Sequence, residues 1–83
     1  MAESHDIEQW VVETCRNLGL AVTGPDSDFF ALGGTSLSAT RLIAQVEERF
    51  GEDALPPEEL YERSTMREIA AAVAAHARSA QAG

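Results

Sequence analysis

Apolar side chains recur at three- and four-residue steps in separate stretches of this chain, and the rhythm lapses between them. Ile7, Trp10, Val11, Cys15 and Leu18 form one such series and predict a first helix that closes near Gly19. Ser4 or Asp6 can cap it, with Asp6 and Gln9 in capping-box spacing. Ala39, Leu42, Ile43, Val46 and Phe50 predict a second helix over about 36–50, followed by Gly51 where a helix C-terminus favours glycine. Its other side carries Arg41, Gln45, Glu48 and Arg49, and Leu37 falls off the apolar stripe in a position that can be exposed. The run "ALPPEELYERST" fits a turn into one short helical segment beginning near Pro57. Thr65 and Glu68 form a capping box for a last helix, in which Met66, Ile69, Ala70 and Val73 line one face. That helix is expected to run to about Arg78 and the tail over 79–83 to fray. No stretch reads as a strand of useful length, so the pattern predicts an all-α chain.

Between the first two helices, residues 19–35 show no helical period, and Gly19, Gly24, Pro25, Gly33 and Gly34 interrupt any long element. A connection of this length demands a reason. Phe29, Phe30 and Leu32 supply one, because burying even a single large apolar side chain contributes roughly 1.5–3 kcal/mol. At least one phenylalanine should pin the loop to the helices and keep it ordered.

Length and charge narrow the possibilities. The 83 residues make a single domain, too small for a deep enclosed active site with its own scaffold. With 45% hydrophobic and 24% charged residues the chain should fold. Six arginines against fourteen acidic residues give a net charge of −8, which argues against nucleic acid and anionic lipid as partners. The acids either solubilise the surface or offer an acidic face to basic patches on proteins. No run of about 18 apolar residues could span a membrane, and the opening "MAESHDIEQW" lacks the basic start and apolar stretch of a secretory signal. A cytoplasmic monomer is the expectation.

The candidate chemistry gathers at residues 33–37. Cys15 lies on an apolar helical face and reads as a buried hydrophobe; His5 and His76 lie far apart in sequence without a ligand cluster, so no metal is expected. Gly33 and Gly34 allow a sharp turn and leave the approach to Ser36 open. Ser36 falls at the start of the second helix, where unpaired N–H groups and the helix dipole favour an attached anion such as a phosphodiester. The bland alternative is that Thr35 or Ser36 merely caps that helix. A nucleophilic serine finds little support: the chain lacks the second glycine of a G-x-S-x-G elbow and has no evident histidine base. No catalytic residue is assigned.

The runs "DSDFFALGGTSLSATRLIAQVEERFG" and "LPPEELYERSTMREIA" resemble the carrier-protein family, specifically the peptidyl or aryl carrier proteins of nonribosomal peptide synthesis. Asp28, Phe29, Phe30, Leu32, Gly33, Gly34, Ser36 and Leu37 match its D-x-F-F-x-L-G-G-x-S-L pattern, and the likeness covers nearly the whole chain. Thr35 stands where fatty-acid and polyketide carriers usually have aspartate, which favours the peptidyl or aryl class over a polyketide-type acyl carrier. The resemblance implies a four-helix bundle with a long ordered loop between helices 1 and 2 and a short third helix. It implies 4'-phosphopantetheine from coenzyme A attached at Ser36 by a phosphopantetheinyl transferase, with Gly33, Gly34 and Thr35 beside it.

An aminoacyl, aryl or acyl group would ride on that arm as a thioester. It would move from an adenylation or other loading enzyme to condensation, tailoring or thioesterase enzymes of secondary-metabolite synthesis. Leu37, Arg41 and the loop near Phe29 are the expected partner-binding surface, and Tyr61 stands where the family often has phenylalanine. A free-standing, non-catalytic carrier is the expectation; a small acidic interaction module with Ser36 as a helix cap is the alternative from another class.

Overall fold

The computed structural model describes the backbone of residues 3–82 and the side chains of residues 6–77. Four helices follow in order: α1 (Glu3–Asn17), α2 (Ser36–Phe50), α3 (Pro57–Glu62) and α4 (Met66–Ala82). Among the described residues the only extended pairing is an isolated bridge between Asp28 and Thr65. The all-α expectation holds, α2 lies where the apolar pattern put it, and α3 begins at Pro57 as the proline pair indicated.

The differences lie at the outer helix ends. Helix α1 begins at Glu3, so Ser4 and Asp6 fall inside it rather than at its cap; the side chains of Ser4 and His5 lie outside the described residues. Helix α4 continues to Ala82, past the end expected near Arg78, through an alanine-rich stretch with high helix propensity. The expected fraying over 79–83 falls outside the described side chains.

Local chemistry accounts for the inner ends. At the close of α1, Gly19 takes a φ of 96°, its N–H donates to the Arg16 carbonyl, and the Leu20 N–H donates to the Cys15 carbonyl. This pair of bonds is a Schellman motif, which satisfies carbonyls that a helix end leaves open. Helix α4 opens with the capping box: the Glu68 N–H donates to Thr65 Oγ1, and Glu68 Oε1 accepts from the Thr65 N–H.

The core is drawn from every helix and from the connections. Val11 and Cys15 of α1, Leu42 and Val46 of α2, Leu60 of α3, and Met66, Ile69 and Val73 of α4 are fully buried. Phe29, Leu20 and Val22 enter from the first connection, and Ala54 and Leu55 from the second. Helix α1 packs chiefly against α4, and Trp10 meets Phe50 edge to face at 5.1 Å, joining α1 to α2. No helix among the described residues is long and apolar enough to cross a membrane.

The connection before α2 is held by backbone as well as by apolar contact. The Phe29 N–H donates to the Ser64 carbonyl at 2.8 Å, the Met66 N–H to the Ser27 carbonyl, and the Arg67 N–H to the Pro25 carbonyl. These bonds tie it to the α3–α4 junction.

Candidate functional site

Residues 28–34 form a single helical turn with a cap at each end. Asp28 Oδ1 accepts from the N–H groups of Phe30 and Ala31, at 2.9 and 3.0 Å, which caps the start. The Leu32 N–H reaches the Asp28 carbonyl within the turn. At its end Gly33 takes a φ of 98°, its N–H donates to the Phe30 carbonyl, and the Gly34 N–H donates to the Phe29 carbonyl at 3.0 Å. This is a second Schellman arrangement, and the positive φ is what requires glycine at position 33.

The two glycines therefore do different work. A Cβ on Gly33 would meet nothing within 4 Å, so its need is conformational. A Cβ on Gly34 would lie 2.5 Å from two ring carbons of Phe29 and 2.6 Å from the Phe29 carbonyl oxygen. Position 34 is bare because the Phe29 ring and backbone pass directly beneath it. Keeping the approach to Ser36 open, the role expected from the sequence for both glycines, is not what this contact at Gly34 shows.

Thr35, between the turn and α2, settles which hydroxyl caps the helix. Its backbone is extended, and its Oγ1 accepts from the Ser38 N–H at 3.2 Å. Ser36 is the first helical residue and is exposed. Among the described residues no hydrogen bond engages its hydroxyl, while those of Thr35, Ser38 and Thr40 are all used. The N–H groups of Ser36 and Leu37 likewise have no acceptor within the described chain.

The electrostatics at this end suit an anion. Helix α2 carries no acidic residue in its first turn, although the chain holds fourteen. Fifteen residues of aligned peptide dipoles place a partial positive charge beside Ser36. A phosphate joined to its hydroxyl would meet uncommitted N–H donors and no neighbouring carboxylate of that turn. The residues present fit such a group.

The other expected site residues are placed as follows. Leu37 is 61% exposed and Arg41 is also exposed, one turn further along α2. Phe29 is a correction: it is fully buried and offers no surface to a partner, because its ring fills the core below the turn. The aromatic residue nearer the surface is Phe30, which touches Phe29 edge to face at 5.0 Å and stacks on Tyr61 of α3 at 5.3 Å.

Cys15 is buried, and burial pushes its thiol up to about 12. His76 is partly buried and pairs with Glu59 across the α3–α4 contact. Among the described residues no group of three or more potential ligands could hold a metal ion.

Two features of the site escaped the pattern of apolar positions. One is the Asp28 carboxylate as the cap of the 28–34 turn, for which an aspartate five residues ahead of a glycine pair was the available signal. The other is the anchoring by Ser27 and Ser64, which works through main-chain atoms and leaves no mark in residue type.

Comparison with known proteins agrees with this arrangement. Residues 11–73 match the family model described as "Phosphopantetheine attachment site". Phosphinothricin tripeptide synthetase PhsC of Streptomyces viridochromogenes is 45% identical over 58 residues, covering 70% of this chain and 5% of the relative. Surfactin synthase subunit 2 of Bacillus subtilis is 39% identical over 62 residues, covering 75% of this chain and 2% of the relative. Gramicidin S synthase 2 of Brevibacillus brevis is 39% identical over 75 residues, covering 89% of this chain and 2% of the relative. The chain thus spans a small fraction of the length of these relatives. No solved structure matches it significantly.

Proposed function

The chain belongs to the phosphopantetheine-attachment family, and from that premise we propose that it is a carrier domain of the nonribosomal peptide synthetase kind, with Ser36 as the attachment point. The observation that carries this reading is the division of labour between neighbours: Thr35 caps α2, so Ser36 has an exposed hydroxyl free of structural duty at the positive end of the helix. A separate phosphopantetheinyl transferase would join Ser36 Oγ to phosphorus as the pyrophosphate bond of coenzyme A breaks. The hydroxyl proton would pass to that enzyme and the nucleotide half would leave.

Once attached, 4'-phosphopantetheine supplies a terminal thiol on which an aminoacyl, aryl or acyl group is held as a thioester. The chain's own part is to present and to be recognised. Carrying a substrate on a short flexible tether raises its effective concentration near a docked enzyme to about the millimolar range, so the carrier need not catalyse. Cys15, buried and protonated, takes no part.

Successive partners, an adenylation or other loading enzyme and then condensation, tailoring or thioesterase enzymes, call for a modest and reversible interface. Leu37 and Arg41 suit one, being exposed on successive turns of the helix that begins at Ser36.

The test is intact-protein mass spectrometry after incubation with coenzyme A and a broad-specificity transferase. A gain of one phosphopantetheine in the wild type and none in Ser36→Ala is expected. A folded wild type that gains nothing from an active transferase, or a Ser36→Ala protein that gains as much, would overturn the assignment.

A further inference from the structure

Modification of a serine by a second enzyme demands more than exposure. The hydroxyl must arrive at a fixed place relative to the surface the transferase grips, and a displacement of about 1 Å can cost as much as a hundredfold in rate. Ser36 lies at a junction, so its place depends on how the segment before it meets α2. Only Thr35 separates Ser36 from the Schellman turn, which ends at Gly34.

Phe29 holds that turn at three points. Its N–H is bonded to the Ser64 carbonyl, in the junction between α3 and α4. Its ring is fully buried in the common core. Its carbonyl accepts from Gly34, and its ring lies so close beneath Gly34 that even a methyl group there would fall 2.5 Å from two ring carbons. The main chain two residues ahead of Ser36 therefore rests on the ring and carbonyl of Phe29.

We propose that Phe29 is a positioning residue for modification at Ser36, acting through its contact with the bare α-carbon of Gly34. This rests on the reading of Ser36 as the attachment point. Phe29 touches neither Leu37 nor Arg41 through this contact, so its loss should shift the hydroxyl and leave the docking residues on α2 in place. The signature is a fall in kcat for transfer from coenzyme A with little change in the KM for the carrier.

The experiment compares wild type, Phe29→Leu, Gly34→Ala and a control, Gly24→Ala. The control lies in the same connection with an ordinary backbone and open space about the added methyl. Folding is verified for each by circular dichroism and thermal melting, and transfer is followed by mass spectrometry at varied carrier concentration. Phe29→Leu and Gly34→Ala are expected to lower kcat about tenfold or more with KM nearly constant, and Gly24→Ala to behave as wild type.

Amide resonances of Thr35 and Ser36 in the unmodified proteins give a readout that needs no transferase. They should move in Phe29→Leu and Gly34→Ala and stay in place in the control. Unmoved resonances, an unchanged kcat in folded variants, or an effect confined to KM would each overturn the positioning role. A wild type that gains no mass at Ser36 would instead overturn the attachment reading, with the resonance shifts still deciding whether Phe29 positions the segment.

Discussion

Thr35 Oγ1 accepts a hydrogen bond from the Ser38 amide at 3.2 Å across the first turn of α2, and this bond makes Thr35 the cap and leaves Ser36, the first residue of the helix, without that duty. Loss of a threonine cap costs about 1 kcal/mol, which in a domain of this size lowers the melting temperature by roughly 4–8 °C. Thr35→Ala should show that loss in thermal unfolding. Ser36→Ala removes a hydroxyl without a structural partner, so its stability should stay within about 0.5 kcal/mol of wild type while its capacity for modification disappears.

Leu37 and Arg41 should separate binding from stability in the opposite way to Thr35. Leu37 is 61% exposed, so Leu37→Ala removes little buried area and should leave the melting temperature nearly unchanged. Steady-state transfer should nevertheless show a severalfold rise in the carrier's KM for Leu37→Ala and for Arg41→Glu. The Arg41→Glu effect should shrink as salt screens the charge. Unchanged kinetics with the transferase and with a loading enzyme would remove these residues from the recognition surface.

The legible parts of this fold are those decided within a few residues. The apolar rhythm from Ala39 to Phe50 and the Thr65–Glu68 pair are local, and α2 and the start of α4 lie where they indicate. The phenylalanine pair was legible only as a pair: which of Phe29 and Phe30 enters the core depends on Ser64, 35 positions after Phe29 in the chain, and on Tyr61. The same limit hid the role of Gly34, since a missing side chain says that space is needed but not what fills it. His76 and Glu59 meet across 17 residues for the same reason. The place of Ser36 at the start of α2 was legible from the same local pattern, whereas which of Thr35 and Ser36 caps the helix was not.

Tyr61 tests whether the stack on Phe30 supports the connection before α2. The rings lie 5.3 Å apart with planes inclined by 18°, and Tyr61 is 52% exposed. Tyr61→Ala should destabilise the protein by about 0.5–1.5 kcal/mol, the usual worth of an aromatic pair. Tyr61→Phe keeps the stack and should be neutral in chemical denaturation. An equal loss in both variants would assign the effect to the hydroxyl rather than to the rings.

Cys15 makes stability depend on pH in the alkaline range. Burial raises its thiol from about 9 to about 12, so above pH 9 the unfolded chain releases a proton that the folded chain keeps. Fewer protons are then bound in the unfolded state, and the stability of the fold falls as pH rises through that window, by at most about 1.4 kcal/mol per pH unit. The contribution is fully present below the unfolded thiol's value. Urea midpoints at about pH 8 and about pH 10 should therefore drop more for wild type than for Cys15→Ala, whose remaining groups titrate alike. The same burial withholds the thiolate on which alkylation depends. A maleimide at neutral pH should leave the folded protein unlabelled and label it once in denaturant, so that after modification at Ser36 the native protein takes label on the attached arm alone.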